Sequence, residues 1–288
     1  MKKADKELQA VLDAAQMSHP VIAANAIRKL GESKAKEAAP IITARIKDRS
    51  SRVRLACVKQ AAAILGKAAV PYLAERLYLD RVIDIGMEAA RQLATIGTTE
   101  AAEALIAAGS TENHMAGTHA DFGLAYWDSF AGIEPLLEAL ENPGVNHGEI
   151  ALALGRTGEK KLVGALASAY ARAGSEVERL QVAAGLTLLG DDRREEFYCA
   201  LESNWPRVRL VALDCISETG DRAAFLNIVP LLKDKDPEVA SKAHCLLEVF
   251  GLTQDEGLMT AANERAKMDI KAALPPGFTV EAGEEGDL

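Results

Sequence analysis

The sequence predicts an all-α chain, a right-handed α-solenoid of about eight helical hairpins, and three observations carry that expectation. A glycine closes an apolar helical pattern at a nearly constant interval. Each interval holds two helical patterns separated by a polar turn. Of the 288 residues, 49% are hydrophobic but only 5% aromatic, a composition in which small side chains let helices stack closely. A hairpin with one apolar face has nothing of its own to cover it and is stable only between neighbours of the same kind.

The clearest unit is FLNIVPLLKDKDPEVASKAHCLLEVFG, residues 225–251. Phe225, Ile228 or Val229, and Leu232 share one face of a first helix by their three- and four-residue spacing. Lys233 to Pro237 break the pattern, because a proline biases the residue before it out of the helical region and suits the first turn of a new helix. Val239, Ala243, Leu246, Leu247 and Phe250 form the second apolar face, with Cys245 expected beside them in the core. Gly251 closes the unit as a C-terminal cap.

The other units follow in order. Residues 6–31 end in IRKLG, 35–66 in AAAILG, 68–97 in RQLATIG, 133–158 in IALALGRTG, 159–190 in AGLTLLG and 191–220 in DCISETG. The closing glycines at 31, 66, 97, 158, 190, 220 and 251 are separated by 35, 31, 61, 32, 30 and 31 residues, so the long interval holds two units. A valine at 53, 145, 177, 208 or 239 precedes its glycine by 12 or 13 residues. Turn chemistry recurs at Asp48 to Ser51, Asn142-Pro143-Gly144 and Asp234 to Pro237.

A first helix such as Val70-Pro71-Tyr72-Leu73, an Asp/Asn-rich turn, a Val-Arg pair and a closing Leu-Gly together resemble the HEAT-like repeats of phycobilisome-lyase type. Arg52-Val53-Arg54 and Arg207-Val208-Arg209 match the Val-Arg element best. Val145, Val177 and Val239 are followed by Asn146, Glu178 and Ala240, which interrupts any continuous ladder of Asp to Arg contacts between repeats. The resemblance implies the solenoid fold, with second helices on a concave side, and it implies no one function, because this repeat serves many tasks.

Residues 1–274 are read as the solenoid, with an irregular fourth unit at about 98–132, and residues 275–288 as an acidic tail expected to be disordered. In the fourth unit, residues 110–132 contain three glycines and lack the valine. Thr118 and Asp121 suggest a capping box there, with a helix running past Phe122, Tyr126 and Phe130. His114, His119, Asp121, Trp127 and Asp128, together with His147 and Glu149 from the next unit, form a candidate partner-binding group. The competing reading is polar residues at helix starts and a packed tryptophan. No His-Glu dipeptide of the kind found in HEAT-like deoxyhypusine hydroxylases occurs in the chain. The four cysteines lack a CxxC spacing and read as core packing. No cofactor, bound metal or catalytic residue is called for.

Charge is unevenly distributed. The net charge is −9, yet residues 1–67 carry 14 Lys and Arg against 6 Asp and Glu, and the rest carry 19 against 36. Arg45, Lys47, Arg49, Arg52, Arg54 and Lys59 gather about one turn, where Arg49, Arg52 and Arg54 are candidates to steer an acidic partner. The expected function is a non-catalytic protein-binding scaffold or adaptor, in the cytoplasm and away from membranes. Two other readings stay open. One is an enzyme or enzyme accessory resembling bilin lyases, around His114, His119, Trp127 and Glu149. The other is nucleic-acid binding through the basic N-terminal repeats, which the overall acidity disfavours.

Overall fold

The computed structural model describes residues 3–142 and 145–252, which divide between two compact units, 1–192 and 193–288. The expected tail at 275–288 lies outside the described residues. Among those described there is no strand, and no helix is long and apolar enough to cross a membrane.

The first unit holds six hairpins. They are α1 (Lys3–Gln16) with α2 (Pro20–Glu32), α3 (Ala39–Arg45) with α4 (Ser51–Leu65), and α5 (Val70–Leu79) with α6 (Ile83–Ile96). Then come α7 (Thr99–Gly109) with α8 (His114–Leu124), α9 (Ile133–Ala139) with α10 (His147–Arg156), and α11 (Val163–Arg172) with α12 (Glu176–Leu188). The second unit holds α13 (Arg194–Leu201) with α14 (Pro206–Thr219), and α15 (Phe225–Ile228) with α16 (Pro237–Val249).

Second helices stack on second helices: α2 on α4, α4 on α6, α6 on α8, and α10 on α12, with α14 on α16 in the second unit. The α10–α12 contact is backbone on backbone, because a Cβ at Gly155 would lie 2.7 Å from the Gly185 Cα. The stack thins between α8 and α10. In the first unit one continuous apolar core, from Ala15 to Leu189, runs between the layers.

Six of the seven closing glycines have positive φ, from 56° at Gly66 to 95° at Gly190, a region closed to most side chains. Gly31 is the exception. Here α2 runs on through Glu32 and Lys34 takes the positive φ of 51°. Gly31 instead makes room for a neighbour, since a Cβ there would meet Gln60 Oε1 at 1.8 Å.

Among the described residues the turn inside a hairpin is built the same way five times, with a side-chain oxygen accepting the backbone N–H two residues on. Asp48 takes Ser50, Asp80 takes Val82, Thr111 takes Asn113, Ser203 takes Trp205 and Asp234 takes Asp236. The valine marker is less regular than the sequence suggests. Val53, Val208 and Val239 each stand three residues past the N-cap and are buried. Val145 precedes its N-cap Asn146 and Val177 stands only two past Ser175, and both are half-buried. In α10 and α12 that third position holds Glu149 and Glu178, whose N–H groups bond to Asn146 Oδ1 and Ser175 Oγ.

Two core assignments in the last hairpin need correction. After Ile228 the chain tightens into a 3-10 helix, Val229–Lys233, so Phe225, Ile228 and Leu231 line up at three-residue spacing and Leu231, not Leu232, is buried. Cys245 is exposed, because it lies about 200° around α16 from buried Ala243. Cys199 is exposed as well, while Cys57 and Cys215 are buried.

Candidate functional site

The fourth hairpin carries most of the candidate residues, and α8 starts earlier than its sequence suggests. Asn113 is the N-cap and accepts the Ala116 N–H, while Thr118 Oγ1 donates back to the His114 carbonyl inside the helix, so Thr118 and Asp121 form no capping box. The helix stops at Leu124, leaving Tyr126 and Phe130 exposed rather than on an apolar stripe. His114 and Asp128 are exposed.

Trp127 is fully buried. Its Nε1 donates to the Ser129 carbonyl at 3.0 Å, and its ring lies where a side chain at Gly132 would be, 2.4 Å from Cζ2. The ring therefore seals the junction of α8 and α9 and cannot present a face to a partner.

His119 is only 1% exposed and faces the third hairpin. Its Nδ1 lies 3.1 Å from the Leu77 carbonyl, which accepts, so the proton sits on Nδ1. Nε2 is buried without a hydrogen-bond partner. The ring rests on Gly86 of α6. Asp121, two residues further along α8, is half-buried; burial pushes its carboxyl up, and a hydrogen bond with the Asn146 side chain offsets part of that push.

His147 faces the opposite way, toward the sixth hairpin. Its Nδ1 is 2.8 Å from Glu178 Oε1 and its Nε2 is 2.9 Å from the Asn142 carbonyl, so both ring nitrogens address acceptors. Beside it Gln181 Nε2 donates to Glu149 Oε1 at 2.7 Å, and Glu178 Oε2 also accepts the Gly174 N–H. Together these bonds tie the start of α10 to α12. The histidines thus serve different neighbours, and the described residues contain no group of three or more His, Cys, Asp and Glu able to hold a metal. Glu178 and Gln181 were missed from the sequence, although the Ser175-x-x-Glu178 capping pattern marks that helix start.

The basic turn is largely neutralised by its neighbours. Arg54 Nε and Nη2 grip Asp80 at 2.7 and 2.9 Å, and Nη1 donates to the Asp48 carbonyl at 2.9 Å. Burial pushes the Asp80 carboxyl up, but the Arg54 hydrogen bonds, the Val82 N–H and the Arg54 and Arg76 charges outweigh it and hold the group below the ordinary carboxylate value. Arg45 pairs with Asp48 at 2.8 Å and Lys47 with Glu75 at 2.5 Å. In the second unit Arg209 grips Asp234 in the same fork, at 2.8 and 2.6 Å. The Asp-to-Arg ladder therefore exists at both Val-Arg sites. Arg49 and Arg52 stay exposed. A cleft of about 430 Å³ between α1 and α3 contains one cation, Arg45, already engaged by Asp48 and by the Ala15 carbonyl.

Residues 8–85, which span the first Arg-to-Asp rung, match the family described as HEAT repeats. That stretch is similar to a run of HEAT repeats. No curated protein matches the sequence. Among solved structures, the complex of CpcE and CpcF of phycocyanin lyase from Nostoc sp. PCC7120 is similar at 17% identity and a TM-score of 0.40, covering 91% of this chain and 94% of that one. Human deoxyhypusine hydroxylase is similar at 18% identity and a TM-score of 0.37, covering 86% and 96%. Within that stretch the Arg54–Asp80 fork joins the second hairpin to the third.

Proposed function

We propose that this stack of HEAT-like hairpins is a non-catalytic protein-binding scaffold or adaptor. The observation that carries the reading is the fate of the reactive side chains. His119 and Trp127 are buried, His147 and Glu149 cross-link α10 to α12, and Arg54 is committed to Asp80. What remains outward among the candidates is Arg49, Arg52, His114 and Asp128, which suit contact rather than chemistry. The exposed thiols of Cys199 and Cys245 fit a reducing compartment such as the cytoplasm.

The test is cross-linking of the purified chain in native extract, followed by identification of bound proteins. A specific protein captured by the wild type and lost with Arg49→Glu/Arg52→Glu or with His114→Ala/Asp128→Ala, at unchanged melting temperature, supports the scaffold. Capture unaffected by both variants counts against these residues as the contact. A visible chromophore or stoichiometric metal on the purified protein would instead favour the enzyme-like reading.

A further inference from the structure

Four successive hairpin turns of the first unit are tied in series. Arg45 Nη1 donates to the Met17 carbonyl at 2.9 Å, Arg54 bridges the Asp48 carbonyl and Asp80, and Asn113 Nδ2 donates to the Tyr78 carbonyl at 3.2 Å. The starts of α2, α4, α6 and α8 therefore form one rim. Large apolar side chains are exposed along it, most of all at the α6 start, where Leu79 is 59% and Ile83 56% exposed and Val82 lies between them. Met17 and Ile22 at the start of α2 and Met115 at the start of α8 are exposed as well. A contiguous exposed apolar patch rimmed by polar groups marks an interaction surface.

The charges on the rim set the partner's chemistry. Arg49, Arg52 and Arg81 are exposed, and no described residue forms an ion pair with any of them, in contrast to Arg45, Lys47, Arg54 and Arg76. The acids exposed on the same rim are Asp84 and Glu112, while Asp48 and Asp80 are neutralised by arginines. The N-caps of α4 and α6, Ser50 and Val82, make no side-chain cap, so the first-turn N–H groups of both helices are left uncapped.

Resting on the scaffold reading, we infer that this rim, centred on Leu79, Val82 and Ile83 between Arg49, Arg52 and Arg81, docks an acidic protein segment that carries apolar anchors. The apolar side chains fill the gaps between the arginines, and the carboxylates meet the arginines and the uncapped helix starts. A nucleic acid fits less well. It needs a continuous cationic track, and the residues that would extend one, Lys47 and Arg54, are already paired with Glu75 and Asp80.

The experiment is selection of a randomised peptide library on the immobilised full chain, with binding of the enriched peptides then measured against Arg49→Glu/Arg52→Glu and against Ile83→Ser. Both variants change exposed residues, and their melting curves report folding. The expected result is enrichment of peptides with Asp or Glu flanking apolar residues, bound at least about tenfold more weakly by each variant, and more weakly at high salt for the wild type. Neutral or basic enriched peptides, binding by both variants as tight as by the wild type, or no enrichment overturns the inference. A randomised single-stranded DNA pool that binds in preference through the same residues overturns it in favour of nucleic acid. Self-association of the wild type lost in the variants overturns it in favour of a second copy. If native capture survives in these variants while peptide selection fails, this rim is wrong and the scaffold reading stands.

Discussion

His119 occupies the space that a side chain at Gly86 would need: a Cβ at position 86 would lie 2.1 Å from Cε1 and 2.2 Å from Nδ1 of the imidazole. Position 86 stands four residues past its N-cap, where α4 and α14 carry the ladder residues Arg54 and Arg209. Between α6 and α8 the rung is replaced by a histidine that reaches back from α8 to the Leu77 carbonyl. Gly86→Ala should therefore destabilise the chain by ~1–3 kcal/mol through overpacking. His119→Ala in the same chain should recover part of that loss, because it removes the clash. Urea unfolding of the two single variants and the double variant measures the coupling, and strictly additive losses would contradict the contact.

Arg54 and Asp80 should behave as one unit. Arg54→Ala leaves a buried carboxylate without its partner and should cost ~3–5 kcal/mol. Because the Asp80 carboxyl is held below its ordinary value, the stability it contributes is complete above the unfolded-chain value of about 3.9 and is lost as pH falls through the folded value. Asp121 has the opposite sign. Its raised carboxyl contributes stability that is complete below about 3.9 and is lost as pH rises through the folded value. Urea midpoints followed from acid to neutral pH should show Asp80→Asn flattening the acid limb and Asp121→Asn removing the loss on the way up.

The two tryptophans should report opposite environments. Trp127 is fully buried and Trp205 is 72% exposed. Trp205→Phe should leave a blue-shifted emission resistant to iodide, whereas Trp127→Ala should cost ~3–5 kcal/mol and leave only quenchable emission. Emission from Trp127 that iodide quenches in the folded chain would show that the junction of α8 and α9 is open.

Thiol labelling separates the cysteines. Cys199 and Cys245 should react in the folded protein, and Cys57 and Cys215 only after unfolding, since burial pushes the Cys57 thiol up to about 12. Next to Cys245 the core begins at once: Leu246→Ala should cost ~2–5 kcal/mol, while Cys245→Ser should stay within ~0.5 kcal/mol. Comparable losses at both positions, measured by denaturant unfolding, would mean that α16 is rotated from the face described.

The hairpins, their number and their closing glycines were legible in the sequence because they rest on local physics. Apolar spacing selects a helix face, a proline or Asp opens a helix, and a glycine that adopts positive φ ends one. Leu246, Leu247 and Val239 could be placed in the core from periodicity alone. What needed the tertiary structure was every decision made between hairpins. Gly31 looks like another helix stop, but its lack of a side chain is required by Gln60 from the next second helix. Gly86 carries no signal at all until His119 is seen above it. Arg52 and Arg54 are two residues apart and chemically alike, yet one stays exposed and the other is held by an aspartate 26 positions away. Stacking, not the local pattern, determines which polar side chains become cross-links and which remain available to a partner.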